Sequence, residues 1–312
     1  MIEHLVISGG GQTGLAFYGI LRESEQRGFW SASNIKSIYA TSVGSFLAVL
    51  IALKYDWPTA DNYIINRPWH TIFKVDIYSV VQAFGRRGIL GVDIMEQMLG
   101  PLFAGKDIPL GITLGEFYEL TGIELYFMTT ELNAFELVKV SHLTHSDWRV
   151  VDAVYASCTL PILFAPLIRD GKCYIDGGTL CSYPVQACLD DGREPDTIFG
   201  LKKMFATKET VDDKSSLFDY LMVVFKNIMV LLNGSVVGTI PNEISFVGDH
   251  ITIDGILAMA SSKEQREQNI QMGVDAFAEQ EGTDGSPFPT PFLNNHVQDF
   301  QREPREPNQN IL

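Results

Sequence analysis

Three short stretches of this sequence carry residue types that do chemistry. Gly9-Gly10-Gly11-Gln12-Thr13-Gly14 places a run of glycines between an apolar segment and a helical one. Ala40-Thr41-Ser42-Val43-Gly44 places a serine among small residues at a second such junction. Asp176-Gly177-Gly178 ends an apolar segment in a carboxylate and two glycines. A glycine loop that opens a helix offers backbone N–H groups to an anion, either a nucleotide phosphate or the oxyanion of a reaction intermediate. A serine at a strand-to-helix turn matches the nucleophile elbow, usually written G-x-S-x-G. A carboxylate at a strand end supplies a base.

The loop satisfies G-x-G-x-x-G, so a dinucleotide reading is open. That reading requires an acidic residue about 20 positions on, at the end of the second strand, to hold the ribose. No Asp or Glu lies between Gln26 and Tyr55, and no Gly-Lys-Ser/Thr follows to make a P-loop. The residue at that strand end is Ser42. Taken alone, it is also an ordinary helix N-cap. Taken with the loop, it is a nucleophile, and the amides of Gly9, Gly10, Gly11 and Val43 are candidate oxyanion donors. Gly14, Ala40, Gly44, Gly177 and Gly178 supply the small residues that such tight turns need. A serine hydroxyl needs a general base within reach. Asp176 alone is one candidate. The order Ser42…Asp176…His250 is the other, because it follows the chain order of an α/β-hydrolase triad. Asp176 is expected near Ser42 because ligands in open α/β sheets bind at the carboxyl ends of the strands.

In combination these motifs resemble the patatin-like phospholipase family. Gly9 to Gly14 resembles its oxyanion loop, with Gly19 at a later family glycine, and Ala40 to Gly44 resembles its elbow. Asp176-Gly177-Gly178 resembles its Asp-Gly-Ala/Gly motif. Ala156-Ser157-Cys158-Thr159-Leu160-Pro161-Ile162-Leu163-Phe164-Ala165-Pro166 resembles the segment that precedes its catalytic Asp. The resemblance covers roughly residues 4 to 200. It implies a Ser42–Asp176 dyad with no histidine, an oxyanion held by the loop glycines, and no metal or cofactor. It also implies phospholipid, glycerolipid or lysolipid substrates. The chain departs from the family pattern at Thr13, where Arg or Lys is common, and at Ala40, where Gly is usual. The function expected is a lipid acyl hydrolase of phospholipase A type. The alternatives are a catalytically silent lipid-binding or interaction protein on the same fold and, remotely, an NAD(P)-dependent oxidoreductase.

The elements that must position these residues alternate. HLVIS, KSIYAT, KCYID and TIFGLK read as strands, and segments 15–28, 43–55 and 149–161 read as helices. ELYFMTTEL and ELVKVSH read as strands paired across a turn at Asn133–Ala134. This predicts a three-layer α/β/α fold with a mainly parallel central sheet. The stretch from Asp56 to Gly115 reads as mostly helical, with Arg86 and Arg87 in a loop. Segment 216–234 is apolar enough to be either a core helix or a lid over an acyl-chain site. We expect one catalytic domain over residues 1–279, with the motifs in 4–200. A surface-draped or poorly ordered tail is expected over 280–312 and includes PFPTPF at 287–292.

The chain has 312 residues, 46% of them hydrophobic, enough for one sizeable core. Its formal net charge is −15, which argues against nucleic acid and against electrostatic docking on anionic lipid, while leaving hydrophobic contact with lipid open. Four scattered cysteines, Cys158, Cys173, Cys181 and Cys188, suggest reduced thiols. With no leader-like segment and no span of about 18 uncharged apolar residues, a cytoplasmic protein in peripheral contact with membranes is expected.

Overall fold

His4–Ile7 (β1) and Ser37–Thr41 (β2) are buried along their whole length. They pair in parallel at the centre of a sheet with both faces covered. The structure, a computed structural model, describes residues 1–73, 77–205, 210–213, 215–233, 238–248 and 253–282. The other strands are Gly88–Leu90 (β3), Glu124–Glu131 (β4), Glu136–Val140 (β5), Ile162–Phe164 (β6), Leu167–Arg169 (β7), Lys172–Asp176 (β8), Ile198–Phe205 (β9) and Asn242–Gly248 (β10). The helices are Gly14–Gln26 (α1), Val43–Ala52 (α2), Trp57–Asn66 (α3), Ile77–Arg86 (α4), Asp93–Ala104 (α5), Leu114–Thr121 (α6), Val150–Cys158 (α7), Val185–Asp190 (α8), Leu217–Asn233 (α9), Ile253–Ser261 (α10) and Lys263–Gly282 (α11).

The main sheet runs β10-β9-β1-β2-β4-β8-β7, with β5 also pairing β4. The stretch from β10 to β4 is parallel throughout. The pairings of β5, β7 and β8 are antiparallel. Alternate strand residues feed two cores. Leu5, Ile7, Ile38, Ala40, Leu125 and Phe127 join a large core with α1, α2 and α7. Val6, Tyr39, Tyr126 and Met128 join a smaller one with Val185 and Cys188 of α8. Helices therefore cover both faces, giving the expected three layers.

One feature of the sheet sets the site. β2 pairs with β4 as far as Thr41 opposite Met128 and then turns away at Ser42. β4 continues through Thr129, Thr130 and Glu131, and β8 pairs with that extension alone, in the opposite direction. β8 therefore descends toward the rim and ends with Asp176 opposite Thr129. The strand-end argument for Asp176 is corrected here. Its strand is antiparallel, and it reaches the rim because β4 overshoots it.

Helix α11, which the sequence reading did not anticipate, crosses α1 at very short range. A Cβ on Gly19 would stand 2.1 Å from the Ile270 carbonyl oxygen, and one on Gly273 would stand 1.9 Å from that of Ala16. Side chains are excluded at both positions by opposing backbone, which accounts for a glycine at 19. Of the expected tail, Gln280 to Gly282 end α11, and the Gln280 amide donates to the Glu243 carbonyl at 3.0 Å. The remainder, PFPTPF included, lies outside the described residues. Helix α9 is not a core helix. Leu217, Val224, Ile228, Val230 and Leu231 are exposed, and Met222 is buried.

Candidate active site

Ser42 caps α2 with φ 54 and ψ −126. A left-handed φ on a non-glycine residue costs about 1–3 kcal/mol and persists only where the surroundings impose it. Two features impose it. The Ser42 amide donates to Ser157 Oγ at 2.9 Å, and Ser157 in turn donates to the Met128 carbonyl at 2.6 Å. Helix α2 also begins directly over the end of β1, so a Cβ on Gly44 would lie 2.6 Å from the Ile7 carbonyl oxygen. Only glycine fits there. Ala40, the departure from the family pattern, is accommodated as a fully buried core residue of β2. Gly14 allows α1 to start against Val43, whose Cγ2 would stand 2.4 Å from an added Cβ.

Asp176 is 3% exposed. Its amide donates to the Thr159 carbonyl at 3.0 Å, and its Oδ1 accepts the Gly178 amide at 2.7 Å. Burial pushes the carboxyl up to about 6, opposed by the Ser42 hydroxyl and by the Gly178 amide. The Ser42 hydroxyl thus acts on Asp176 as a hydrogen-bonding neighbour. Such contacts commonly tighten when substrate binds. Gly177 turns the chain under Met128, whose carbonyl oxygen would lie 2.1 Å from a Cβ there. Asn233, at the end of α9, secures this turn by donating to the Gly178 carbonyl at 2.8 Å.

The glycine loop passes close to Ser42. Gly10 leads into a short 3-10 turn, Gly11–Thr13, and the Gly11 φ of 55 is in the left-handed region. The amides of Gly10, Gly11 and Val43 make no backbone hydrogen bond among the described residues. Gly9 is corrected from its expected role as a donor. Its amide donates to the Ser182 carbonyl at 2.9 Å. Its lack of a side chain serves passage instead, because a Cβ would stand 3.3 Å from Ser42 Cβ.

Ser42, Val43, Gly11, Gly14, Cys158 and Asp176 open onto a cavity of about 200 Å³. Its walls are apolar, including Leu15, Phe46, Met95, Leu163, Phe164 and Ile256. Among the described residues none of α9 lines it, so the expectation of an acyl-binding helix there is corrected. Helix α9 packs on the Gly177–Thr179 turn, and Ile256 and Met259 of α10 take the place at the cavity wall. No histidine lines the cavity among the described residues. His4 bonds Ser37 at 2.7 Å at the opposite end of the strands, and His250 lies outside the described residues. Arg86 and Arg87 are exposed and do not line the cavity.

Three residues escaped the sequence reading as site components: Ser157, Cys158 and Lys203. The first two stand in the segment before Asp176. Cys158 is buried between Ser42 and Asp176, and burial holds its thiol protonated, well above the usual range. Lys203 is buried beside the glycine loop and donates to the Gly10 carbonyl at 3.3 Å. Its signal was positional, because it shares the inward parity of Phe199 and Leu201.

The sequence model described as "Patatin-like phospholipase" matches residues 5–189. The chain belongs to the patatin-like phospholipase family. The dinucleotide alternative loses its ground with that match. Relatives of this patatin-like chain include an uncharacterised protein of Acanthamoeba polyphaga mimivirus, 27% identical over 61% of this chain and 62% of that protein. A probable lipid hydrolase of Invertebrate iridescent virus 6 is 22% identical over 75% of this chain and 81% of its own. A lysophospholipase of Kluyveromyces lactis is 28% identical over 60% of this chain but only 12% of its own. The match thus spans less than two thirds of the mimivirus protein and about an eighth of the yeast one. The crystal structure of VipD from Legionella pneumophila shares the fold, with a TM-score of 0.53 and 16% identity over 89% of this chain and 66% of that one.

Proposed function

We propose that this patatin-like chain is a lipid acyl hydrolase that cleaves carboxylic esters by an acyl-enzyme on Ser42, with Asp176 as the general base. The observation that carries the reading is the pairing of a strained serine with a buried carboxylate raised to about 6, beside free loop amides and an apolar cavity. A base with a pKa near 6 is ionised at neutral pH yet basic enough to take a proton in the transition state.

In the first half-reaction, Ser42 Oγ attacks the ester carbonyl while Asp176 takes its proton. Negative charge develops on the carbonyl oxygen against the amides of Gly10, Gly11 and Val43. Each well-placed donor of this kind lowers the barrier by roughly 3 kcal/mol. The tetrahedral intermediate collapses, Asp176 returns the proton to the leaving alcohol, and the acyl group stays on Ser42. In the second half, Asp176 takes a proton from water as it attacks the acyl-enzyme, then returns that proton to Ser42 Oγ as the fatty acid leaves. The apolar cavity holds the acyl chain throughout and binds it by the area it removes from water. The substrate class is a lipid ester, met at a membrane or micelle surface.

A fluorophosphonate probe and a chromogenic acyl ester test this. Wild-type protein is expected to turn over the ester and to carry the probe on Ser42. Ser42→Ala should lose both. Asp176→Asn should lose on the order of 10³-fold or more in kcat, as removal of a general base does in comparable dyads and triads. His250→Ala should retain turnover. Collapse in the His250 variant would establish a triad instead, and no labelling with no turnover would leave a silent lipid-binding protein.

A further inference from the structure

The loop from Gly9 to Gly14 carries no charge of its own, yet a cation reaches it from β9. Phe199, Leu201 and Lys203 alternate onto one face of that strand, and the first two are fully buried. Lys203 follows them inward and is 7% exposed. Its stem lies along the loop, so that a Cβ on Gly10 would stand 2.9 Å from Lys203 Cδ. Its Nζ donates to the Gly10 carbonyl at 3.3 Å, and the Thr13 amide donates to the same oxygen at 3.2 Å. A buried ammonium is expensive to desolvate, so its placement against the Gly10 peptide is a specific feature of the fold.

Two consequences follow for the next amide. In a trans peptide the C=O and N–H point to opposite sides. Anchoring the Gly10 oxygen on the Lys203 side therefore turns the Gly11 N–H to the other side, and Gly11 shares the cavity wall with Ser42 and Asp176. A charge-assisted hydrogen bond to the carbonyl also polarises the whole peptide unit and makes its N–H a stronger donor.

We propose that Lys203 is a positioning residue for the oxyanion loop: its ammonium fixes and polarises the Gly10–Gly11 peptide so that the Gly11 amide meets the charge formed beside Ser42. This rests on the hydrolase reading above, and the experiment separates the two. Lys203→Met keeps the stem and removes the ammonium, and Lys203→Arg restores a cation. For the full chain and both variants, kcat and KM are measured on an acyl ester. Affinities are measured for an alkyl trifluoromethyl ketone, which adds Ser42 to form an oxyanion, and for the matching methyl ketone, which binds largely unreacted.

Lys203→Met is expected to lose on the order of 10–100-fold in kcat with KM nearly unchanged, less than for outright loss of an oxyanion donor because the Gly11 amide remains. Trifluoromethyl ketone affinity should fall by a similar factor, methyl ketone affinity should hold, and Lys203→Arg should recover most of both losses. Unchanged kcat, or equal losses for both ketones, overturns the proposal. Should Lys203→Met not fold, Lys203→Gln, which donates without charge, takes its place and should fall between wild type and full loss. If the wild type hydrolyses no ester, the hydrolase reading fails by itself, and the ketone pair still decides Lys203. A wild type that binds both ketones alike overturns it.

Discussion

At the residue scale, the proposed role of Asp176 ties activity and stability to the same proton. Its carboxyl is raised from 3.8 to about 6, because burial disfavours the charge. Between those values the folded chain holds a proton that the unfolded chain has released, so this group's contribution to stability declines as pH rises from about 4 to about 6. The destabilisation is complete above that window and amounts to at most about 3 kcal/mol. Under the proposed mechanism activity runs the other way, because only the ionised form accepts the Ser42 proton. The acid limb of kcat/KM is therefore expected near pH 6. Asp176→Asn should raise the melting temperature at pH 8 while abolishing turnover, and should lose that advantage at pH 4. Equal melting temperatures for the two proteins at pH 8, or an acid limb near pH 4, would contradict this account. Ser42 and Asp176 were legible in the sequence because an elbow and an Asp-Gly turn are local patterns. Ser157 and Lys203 were not read as part of the site, because what they do depends on partners 115 and 193 positions away.

At the element scale, runs of buried apolar residues disclosed β1, β2, β8 and β9, and the hairpin of β4 and β5 followed from its turn. Strand direction was not disclosed. Nothing inside KCYID says that it runs against its neighbour, and only the overshoot of β4 determines that. The short β3 and β6 were also missed, since three residues of each leave no period to detect. Helix α11 was hidden for a different reason. It meets α1 by close backbone approach at Gly19 and Gly273 rather than by a broad apolar stripe. Gly273→Val therefore puts atoms where the Ala16 carbonyl stands, and is expected to destabilise the fold by roughly 2–4 kcal/mol. Thermal unfolding checks this. A melting temperature within a degree of wild type would mean that the two helices can separate without loss.

At the scale of the whole molecule, the segment matched by the family, residues 5–189, is less than the fold requires. β1 stands between β2 and β9, and β9 begins at Ile198. A product ending at position 189 would thus convert an interior strand into a bare sheet margin with unpaired amides and carbonyls, a template for aggregation. It would also lack Lys203 and the helix that closes over Gly19. Expressed alone, that fragment is expected to be recovered in the pellet, whereas residues 1–282 should be soluble and cooperative in unfolding. A soluble, cooperatively melting 5–189 fragment would refute this. The strand that pairs with β1 and carries Lys203 thus lies outside the segment that bears the motifs. Recombination that swaps residues 1–189 between relatives would carry over the proposed nucleophile and base, yet leave the loop amides facing an unfamiliar partner strand.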